Sequence, residues 1–552
     1  MLSYRKLAMR VLGRPLHTGG SDSPRPASQR AAALILTAAM LTTLTAPAFA
    51  KEWYIEEGDI TVRAGETEGT NKVSQGENPE VEDTNTVITN SDKDKASSNT
   101  VTIEAKDKDD KVEVTLKDVN IDTSSRSEAA VSVTGEGNTN IELDGDNALK
   151  SDIYSSGISS SGSLTISGGE NDSLTAQGGS GADGIYSSGS LTISGGTVTA
   201  NGGSGGGGDG GDGIWSSGGV TISGGSTVTA NGGDGKDDYG GDGIRSDSGD
   251  VTISGGSTVT ANGGNGGNVS GDGIRSDSGD VTISGGTVKA AGGDSKDGYG
   301  GDGIRSGGVT ISGGTVNAAG GNGGKVGGYG ICSFARVAIS GGTVNAAGGN
   351  GKNSNGGSDG IISNDIDLSG SLELTAKAGR PNGKAISWAG HELDLDTIKD
   401  KLGPGAKVTA TDANGETKQV SSPIPRPVEP EEPEPVIPEE SSSSSDGGSA
   451  TPSAPASPLP GLTVTDKDGQ RISYTSIRGN NVLSIRVGRF TASLRASLAT
   501  LRQLRAEGID TITFQTILCS TTLSVDELLA MGGEDAEAVL THRLTASSLT
   551  VG

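Results

Sequence analysis

A three-part repeat occupies the middle of this chain of 552 residues and constrains its fold more than any other feature. Its clearest copy reads Gly-Asp-Gly-Ile-Arg-Ser, then Val-Thr-Ile-Ser-Gly-Gly, then Thr-Val-Thr-Ala-Asn-Gly-Gly, and a glycine-rich loop follows. Successive copies lie 27 to 30 residues apart, a period that is typical of a solenoid. The isoleucines that mark the first part of each copy are Ile158, Ile185, Ile214, Ile244, Ile274, Ile304, Ile331 and Ile361.

Each part of the repeat has the composition of a short strand with one buried face. β-Branched residues alternate with polar residues, and glycine pairs end every run before a helix could complete two turns. Glycine supplies 94 residues and apolar types only 31% of the chain, which excludes an ordinary globular core along its full length. The sequence therefore predicts a mainly β protein, a right-handed parallel β-helix with three short strands per rung of about 30 residues.

Composition divides the chain into five segments. An apolar run comes first, degenerate alternating runs follow, and the regular repeats come next. A tract of Pro, Glu and Ser that cannot bury a core then precedes a final segment of ordinary composition. The predicted segments are a signal peptide at 1–50, irregular opening rungs and a cap at 51–151, the repetitive β-helix at 152–420, a disordered linker at 421–460 and a small α+β domain of unassigned role at 461–552.

The last segment mixes two hydrophobic periods. Alternating runs predict strands at 462–465, 472–474, 482–487 and 510–517. Between them, the leucines from Leu494 to Leu504 predict one helix over 492–507 that ends at a glycine.

Residues 1–50 have the features of an export signal. Six basic residues accompany an apolar run at 31–44, and Ala48-Phe49-Ala50 is a cleavage motif of small residues around one variable position. The run is short for a membrane-spanning helix. We therefore expect a secreted, extracellular protein that could also be held at the cell surface, with an uncleaved membrane anchor as the alternative.

An aspartate stands at the same place before the first strand of six copies. Stacked carboxylates one rung apart repel each other unless cations bridge them, so these residues are candidate calcium ligands. The segment Gly207 to Trp215 also matches the calcium-binding nonapeptide pattern once. The alternative is a solvated turn in which each aspartate bonds its own backbone. The metal candidates are Asp183, Asp212, Asp242, Asp272 and Asp302, and Asp359 occupies the equivalent place in a later copy.

The residue after each marker isoleucine should point outward, because side chains alternate along a strand. Aromatic rings suit the faces of sugars, and arginine forks suit carboxylates, so this row is a candidate carbohydrate-binding strip. The alternative is a set of surface ion pairs with Asp247 and Asp277, or with Asp250 and Asp280. The carbohydrate-binding candidates are Tyr186, Trp215, Arg245, Arg275 and Arg305.

Charge and composition argue against several classes of function. The net charge of −26 repels nucleic acid and anionic lipid, so we expect neither nucleic acid nor membrane as a partner after signal cleavage. Beyond the signal the sequence contains only His391 and His542, and this small number argues against histidine-dependent catalysis and against zinc sites with several histidine ligands. Cys332 and Cys519 lie 187 residues apart in different segments, and we expect both to be free thiols.

The lead-in to the repeats carries a resemblance to a known family. It contains Leu116-Lys-Asp-Val-Asn-Ile-Asp-Thr and, further on, Val131-Ser-Val-Thr-Gly-Glu-Gly-Asn. With the repeats, these segments resemble the extracellular bacterial carbohydrate-binding domain-containing β-helix proteins, over about residues 53–396. The resemblance implies a pectate-lyase-like β-helix that binds acidic plant polysaccharides such as polygalacturonate, with calcium sites. It assigns no binding residue individually.

These observations favour a secreted, non-catalytic protein that binds acidic polysaccharide along the β-helix, with calcium as the candidate cofactor. A structural adhesin that binds host or neighbouring cells fits the repeats equally well, and the final segment could then hold a cell-surface partner. A polysaccharide lyase is the third hypothesis. Lyases cluster calcium-binding carboxylates beside one basic residue in a cleft, whereas the charges here repeat from rung to rung.

Overall fold

The computed structural model describes two separate units of the chain. The first covers 51–67, 69–354 and 356–423. The second covers 462–466, 470–472, 474–479, 482–487, 491–516, 520–525, 528–529, 537–542 and 547–551. The predicted signal peptide and nearly all of the predicted linker lie outside these residues.

The first unit is a parallel β-helix with three strands per rung, which confirms the predicted fold class. One face, called face 1 here, is formed by the strands that begin at the eight marker isoleucines and by four further strands of the same sheet. Its parallel strands are Ile60–Ala64, Val101–Glu104, Val131–Thr134, Ile158–Ser160, Ile185–Ser187, Ile214–Ser216, Ile244–Ser246, Ile274–Ser276, Ile304–Ser306, Ile331–Ser333, Ile361–Ser363 and Ile386–Trp388.

The second and third parts of each repeat form the other two faces, which share one 22-stranded sheet. Face 2 contains Glu52–Tyr54, Val87–Thr89, Lys111–Lys117, Asn138–Asp144, Ser163–Gly168, Leu191–Ile193, Val220–Ile222, Val251–Ile253, Val281–Ile283 and Val309–Ile311. Face 3 contains Asn120–Asp122, Asp146–Lys150, Ser173–Ser180, Thr197–Gly203, Thr227–Asn231, Thr258–Asn262, Thr287–Ala291, Thr315–Ala319 and Lys407–Thr411. The two faces join because the strands Arg336–Ala347 and Asp365–Lys377 each run across both of them.

Identical residues stack on one another from rung to rung. Ile185 pairs with Ile214 on face 1, Ile193 with Ile222 on face 2 and Val198 with Val228 on face 3. All of these side chains are buried, and rungs in a sheet lie about 4.8 Å apart. Each column of side chains therefore forms a continuous strip of dry interior, as the repeat predicted.

Serine columns line the interior beside the isoleucines. Ser216 is fully buried, and its hydroxyl donates to the carbonyl of Gly189 at 2.8 Å. Ser246 and Ser276 make the same kind of bond one and two rungs further on. Because buried polar groups must be paired, each hydroxyl finds an acceptor among the glycine carbonyls and so ties the corner between faces 1 and 2 to the rung before it.

Two glycine positions are required by the corners. A Cβ on Gly213 would lie 2.6 Å from the backbone nitrogen of Asn231, so only glycine allows faces 3 and 1 to meet there. Gly286 has φ 81°, and a Cβ there would lie 2.2 Å from the carbonyl oxygen of Ser257. The close contact and the positive φ explain why Asp-Gly and Gly-Gly recur at fixed places.

Both ends of the solenoid are capped, so its edge strands do not lie open. At the start, the antiparallel strands Asn71–Gln75 and Val81–Asp83 continue face 1, and the Trp53 indole donates to Asp83 at 2.7 Å. The short 3-10 helix Ile55–Glu57 lies in this opening region. At the far end lie antiparallel strands and a second 3-10 helix, namely His391–Glu392, Leu395–Lys401 and Thr417–Ser421.

The second unit contains two four-stranded sheets and a helix around its own core. One sheet contains Leu462–Thr465, Ala492–Ser497, Glu537–His542 and Ser547–Val551, and the other Thr475–Gly479, Val482–Arg486, Thr511–Gln515 and Ser520–Ser524. The predicted helix over 492–507 is partly wrong, because its first third is a strand and the helix is Leu498–Ala506. The predicted strand at 472–474 is also wrong, since the strand begins at Thr475. Within both units, no helix is long and apolar enough to cross a membrane.

Candidate functional site

The five candidate metal ligands form a buried column, called the aspartate row, at the corner before face 1. Their side chains are at most 9% exposed, which contradicts the solvated-turn alternative. Each carboxylate is instead held by the rung that follows it. The backbone N–H of Asp212 donates to Oδ1 of Asp183 at 2.7 Å, and the N–H of Asp272 donates to Oδ1 of Asp242 at 2.6 Å.

This bonding pattern continues to the end of the row and beyond it. The N–H of Asp302 donates to Asp272 at 2.6 Å, and the N–H of Tyr329 donates to Asp302 at 2.6 Å. Tyr329 thus takes the place of an aspartate in its rung. Asp359 lies in the equivalent position further on and accepts the N–H of Lys384 at 2.6 Å. One function of these carboxylates is therefore to satisfy the backbone donor at a corner of each rung.

Burial makes the aspartate row difficult to ionise. It raises the pKa of Asp242 and Asp272 to about 7, with the adjacent carboxylate of the next rung adding to the effect. Burial likewise raises the pKa of Asp183 and Asp302 to about 6. The pKa of Asp212 is raised well above its usual value by burial and by the carboxylates on both sides. The row therefore takes up protons in the range between mildly acidic and neutral pH.

The five carbohydrate-binding candidates form a second column, called the floor row, that faces outward from face 1. Tyr186 pairs with Trp215, Trp215 with Arg245, and the two following arginines continue the register. The rings of Tyr186 and Trp215 meet edge to face with centroids 5.2 Å apart. The Arg245 guanidinium lies 5.0 Å from the centre of the Trp215 ring, so the strip is continuous.

Two of the arginines are held by carboxylates, as the ion-pair interpretation predicted for Asp247 and Asp277. Arg245 contacts Asp247 at 2.9 Å and Asp277 at 3.3 Å, and Arg275 contacts Asp277 at 2.6 Å. Asp250 instead accepts the backbone N–H of Asp280, at 2.9 Å.

The third arginine of the floor row is less tightly held. Arg305 lies 3.8 Å from Asp302, and its guanidinium lies 5.2 Å from the ring centre of Phe334. Arg275 also reaches back to Asp242 at 3.7 Å, which links the floor row to the aspartate row.

An open groove brings the two rows together. Its volume is about 440 Å³, and one wall comes from the glycine-rich loops, where Tyr239 pairs with Val269 of the next rung. Tyr239 is 48% exposed. The sequence did not point to this wall, because the loop residues vary between copies. The charged and aromatic residues that line the groove are Asp183, Asp209, Asp212, Asp242, Trp215, Tyr239, Arg245 and Arg275.

A second open cavity, of about 500 Å³, continues the groove toward the start of the solenoid. It shares Asp183 and Trp215 with the first cavity and adds Tyr154, Tyr186 and several serines. The two cavities therefore form one groove that follows face 1 across several rungs.

The groove is lined by four aspartates, Asp183, Asp209, Asp212 and Asp242. Within the residues described, no group of three or more His, Cys, Asp or Glu side chains is placed to hold a metal ion. Calcium takes six to eight oxygen ligands, so an ion at the aspartate row would need most of them from water or from a bound ligand. In the nonapeptide segment, Asp209 and Asp212 both line the groove, and Asp209 accepts the N–H of Tyr239 at 3.2 Å.

Cys332 follows Arg305 in the outward column of face 1. It is a free, buried cysteine, and burial raises the pKa of its thiol to about 12. A thiol of this kind is inert, because the thiolate is the nucleophile. Cys519 lies outside the described residues.

Comparisons with known proteins agree with the fold. The beta helix repeat model matches residues 220–244, 281–304 and 309–331 of the chain. Each match begins in a strand of face 2 and ends at the start of a strand of face 1, so it includes a glycine-rich loop. No curated protein and no solved structure matches the chain.

Proposed function

We propose that the chain is a secreted, non-catalytic carbohydrate-binding protein that binds acidic polysaccharide of the pectin or polygalacturonate type along the groove of face 1. The observation that carries the proposal is the meeting of aromatic rings, guanidinium groups and protonatable carboxylates in one open groove. They occupy successive rungs of face 1, with one outward residue of the floor row in each rung. A polymer with regularly spaced hydroxyl and carboxylate groups is therefore a suitable ligand, more so than a small molecule.

Each part of the groove has a distinct role in this proposal. The rings of Tyr186 and Trp215 stack on the apolar faces of sugar rings. The guanidinium groups of Arg245 and Arg275, which line the groove, donate paired hydrogen bonds to sugar carboxylates. The rungs are about 4.8 Å apart, so successive sugar units meet successive residues of the floor row.

Protonation of the aspartate row sets the charge that an acidic ligand meets. Below the raised pKa values of Asp183, Asp242, Asp272 and Asp302, which are about 6 to 7, the row is neutral. The three arginines of the floor row then outnumber the carboxylates that contact them. Above that range the ionised row repels an acidic glycan, and a calcium ion is then needed to bridge row and glycan carboxylates.

The test is a calorimetric titration of the full chain with polygalacturonate at pH 5 and pH 8, with calcium and with a chelator. We expect binding at pH 5 in either buffer and binding at pH 8 only with calcium. Arg275→Gln should weaken binding at pH 5 by about tenfold, the equivalent of one lost charge-assisted contact of about 1.4 kcal/mol.

The matched control is Arg336→Gln. Arg336 is also paired with aspartates, Asp365 and Asp367, but it lies at the start of a face 2 strand, away from the groove. Loss of binding in both arginine variants would indicate a general charge effect and contradict a groove site. Absence of binding in all four buffers would refute the proposal and favour the adhesin alternative, to be tested by cell adhesion. Release of unsaturated uronides would show a lyase instead.

A further inference from the structure

The outward column of face 1 changes chemistry along the solenoid. Before the floor row, in the same register, stand Ser132 and Ser159. Hydroxyl groups thus come first, the two aromatic rings follow, and the guanidinium groups come last. A polysaccharide lying in this groove therefore meets an uncharged half and a charged half.

The uncharged half is the cavity of about 500 Å³, called the shelf here. Hydroxyl and aromatic groups make up most of it, a combination that suits the hydroxyls and the apolar faces of neutral sugars. The residues that line the shelf are Ser127, Glu128, Ala129, Ser132, Tyr154, Ser155, Ser156, Ser159, Asp183, Tyr186 and Trp215.

Of the two acidic residues of the shelf, one is paired and the other is buried. Glu128 is paired with Arg126 at 2.8 Å, and Arg126 also contacts Asp59 at 2.8 Å. Asp183 is buried, and burial raises its pKa to about 6. The shelf therefore offers a ligand mainly hydroxyls and rings, and its exposed carboxylate, Glu128, is paired with Arg126.

Tyr154 is placed for contact with a ligand rather than for packing. Its side chain is 85% exposed, and its backbone has φ 64°, a left-handed conformation that is unusual for a bulky residue. The ring stands next to Gly181, with Cε1 3.7 Å from where a Cβ of that glycine would lie. Gly181 lines the adjoining cavity, so the Tyr154 ring stands where shelf and groove meet.

Trp215 carries a donor that lacks a partner. Its Nε1 atom is buried, and the described residues place no hydrogen-bond acceptor within reach of it. A buried donor without a partner is unfavourable, and a rotation of the indole that brings Nε1 to a sugar oxygen in the groove would give it one. Trp215 lines both the shelf and the groove, so its ring lies at the junction of the two halves.

We propose that the shelf is a subsite for uncharged pyranose units, in which Tyr154, Tyr186 and Trp215 stack on the sugar rings. The inference rests on the proposed function and divides the groove into a neutral subsite and an acidic one. The preferred ligand is then a polysaccharide in which uncharged and carboxylate-bearing stretches adjoin.

The test uses two trisaccharide probes with the same sugar backbone, trigalacturonate and its full methyl ester, in which each carboxylate is replaced by an uncharged ester. A trisaccharide spans about three rungs, so each probe can select one half of the groove. Titrations with the full chain are carried out at pH 5. Tyr154→Asn removes the ring and keeps a residue that tolerates positive φ. It should weaken binding of the ester by about tenfold and change binding of the acid by less than about twofold.

Two further variants sharpen the result. Tyr299→Asn is the matched control, because Tyr299 is 44% exposed on a loop and lines neither cavity, and it should leave both affinities unchanged. Trp215→Phe keeps a stacking ring and removes the unpaired donor, and it should also weaken binding of the ester.

The outcomes separate the two proposals. If the acid binds and the ester does not, or if Tyr154→Asn leaves ester binding unchanged, the neutral subsite is refuted and the proposed function stands. If only the ester binds and Tyr154→Asn weakens it, the subsite stands and the acidic ligand class is refuted. If neither probe binds, both proposals fall.

Discussion

Replacing one central member of the aspartate row with asparagine should stabilise the β-helix at alkaline pH. In Asp242→Asn the amide oxygen can still accept the N–H of Asp272, which the carboxylate accepts at 2.6 Å. The substitution removes a buried negative charge between two other carboxylates without removing volume. The bond to Asp272 and the packing are therefore kept, whereas the ionisation is lost together with the ion pair to Arg275 at 3.7 Å.

The size of the effect follows from the pKa of Asp242, which burial raises from 3.8 to about 7. A carboxyl whose pKa is higher in the folded than in the unfolded chain stabilises the fold most at low pH. That contribution is lost as the pH rises from 3.8 through about 7. Since one pKa unit corresponds to about 1.4 kcal/mol, ionising Asp242 at pH 8 costs the folded state about 4 kcal/mol. Asp242→Asn should gain up to about that amount at pH 8 and about a third of it at pH 5.

The assay is urea unfolding followed by tryptophan fluorescence. The chain has three tryptophans, Trp53, Trp215 and Trp388, and all of them lie in the β-helix unit, so the signal does not report on the second unit. The matched control is Asp250→Asn, which also accepts an N–H from the next rung but is exposed. A gain at pH 8 that Asp250→Asn also gives, or a loss at pH 8 in Asp242→Asn, would refute the reasoning.

Three further predictions concern the corners, the interior and the cysteine. Gly213→Ala should destabilise the β-helix by several kcal/mol, measured by thermal unfolding, because the new Cβ would lie 2.6 Å from a backbone nitrogen. An unchanged melting temperature would show that the corner can open. Ser216→Ala should cost about 1 kcal/mol in urea unfolding, the usual cost of an interior hydrogen bond, and no loss would mean that the bond to Gly189 is dispensable. Cys332 should resist alkylation at pH 8 until the chain is unfolded, since burial raises the pKa of its thiol to about 12. Rapid labelling at Cys332, located by peptide mass mapping, would contradict that placement.

The periodic part of the fold could be predicted from sequence because each rung repeats the same requirements. Marker isoleucines such as Ile214 and Ile244 stack in the predicted register, and the floor row points outward as alternation along a strand requires. The bonding of the aspartates could not be predicted, since it depends on a backbone N–H that is left unpaired at a corner. The sequence indicated only that the carboxylates stack.

Two other features escaped prediction for a different reason. Tyr154 and Tyr239 lie outside the repeated motif, so no period marks them as parts of one groove. In the second unit, Leu494 belongs to a strand in which alternate residues are buried, whereas Leu501 and Leu504 belong to the following helix. The four-residue spacing from Leu494 to Leu498 resembles one turn of a helix, although it crosses from the end of a strand to the start of a helix.

The one-directional bonding of the aspartate row makes the rungs interchangeable. Residues 241–254 and 271–284 are identical in sequence. In each rung the aspartate N–H donates to the carboxylate of the previous rung, and the aspartate carboxylate accepts the N–H of the next rung. Removal of residues 242–271 would place the N–H of Asp272 opposite the carboxylate of Asp212, where it would form the bond that the N–H of Asp242 forms now. Recombination between these copies can therefore lengthen or shorten the solenoid by whole rungs. The length of the groove, and the number of ligand units that it covers, can therefore change between related proteins by one rung at a time.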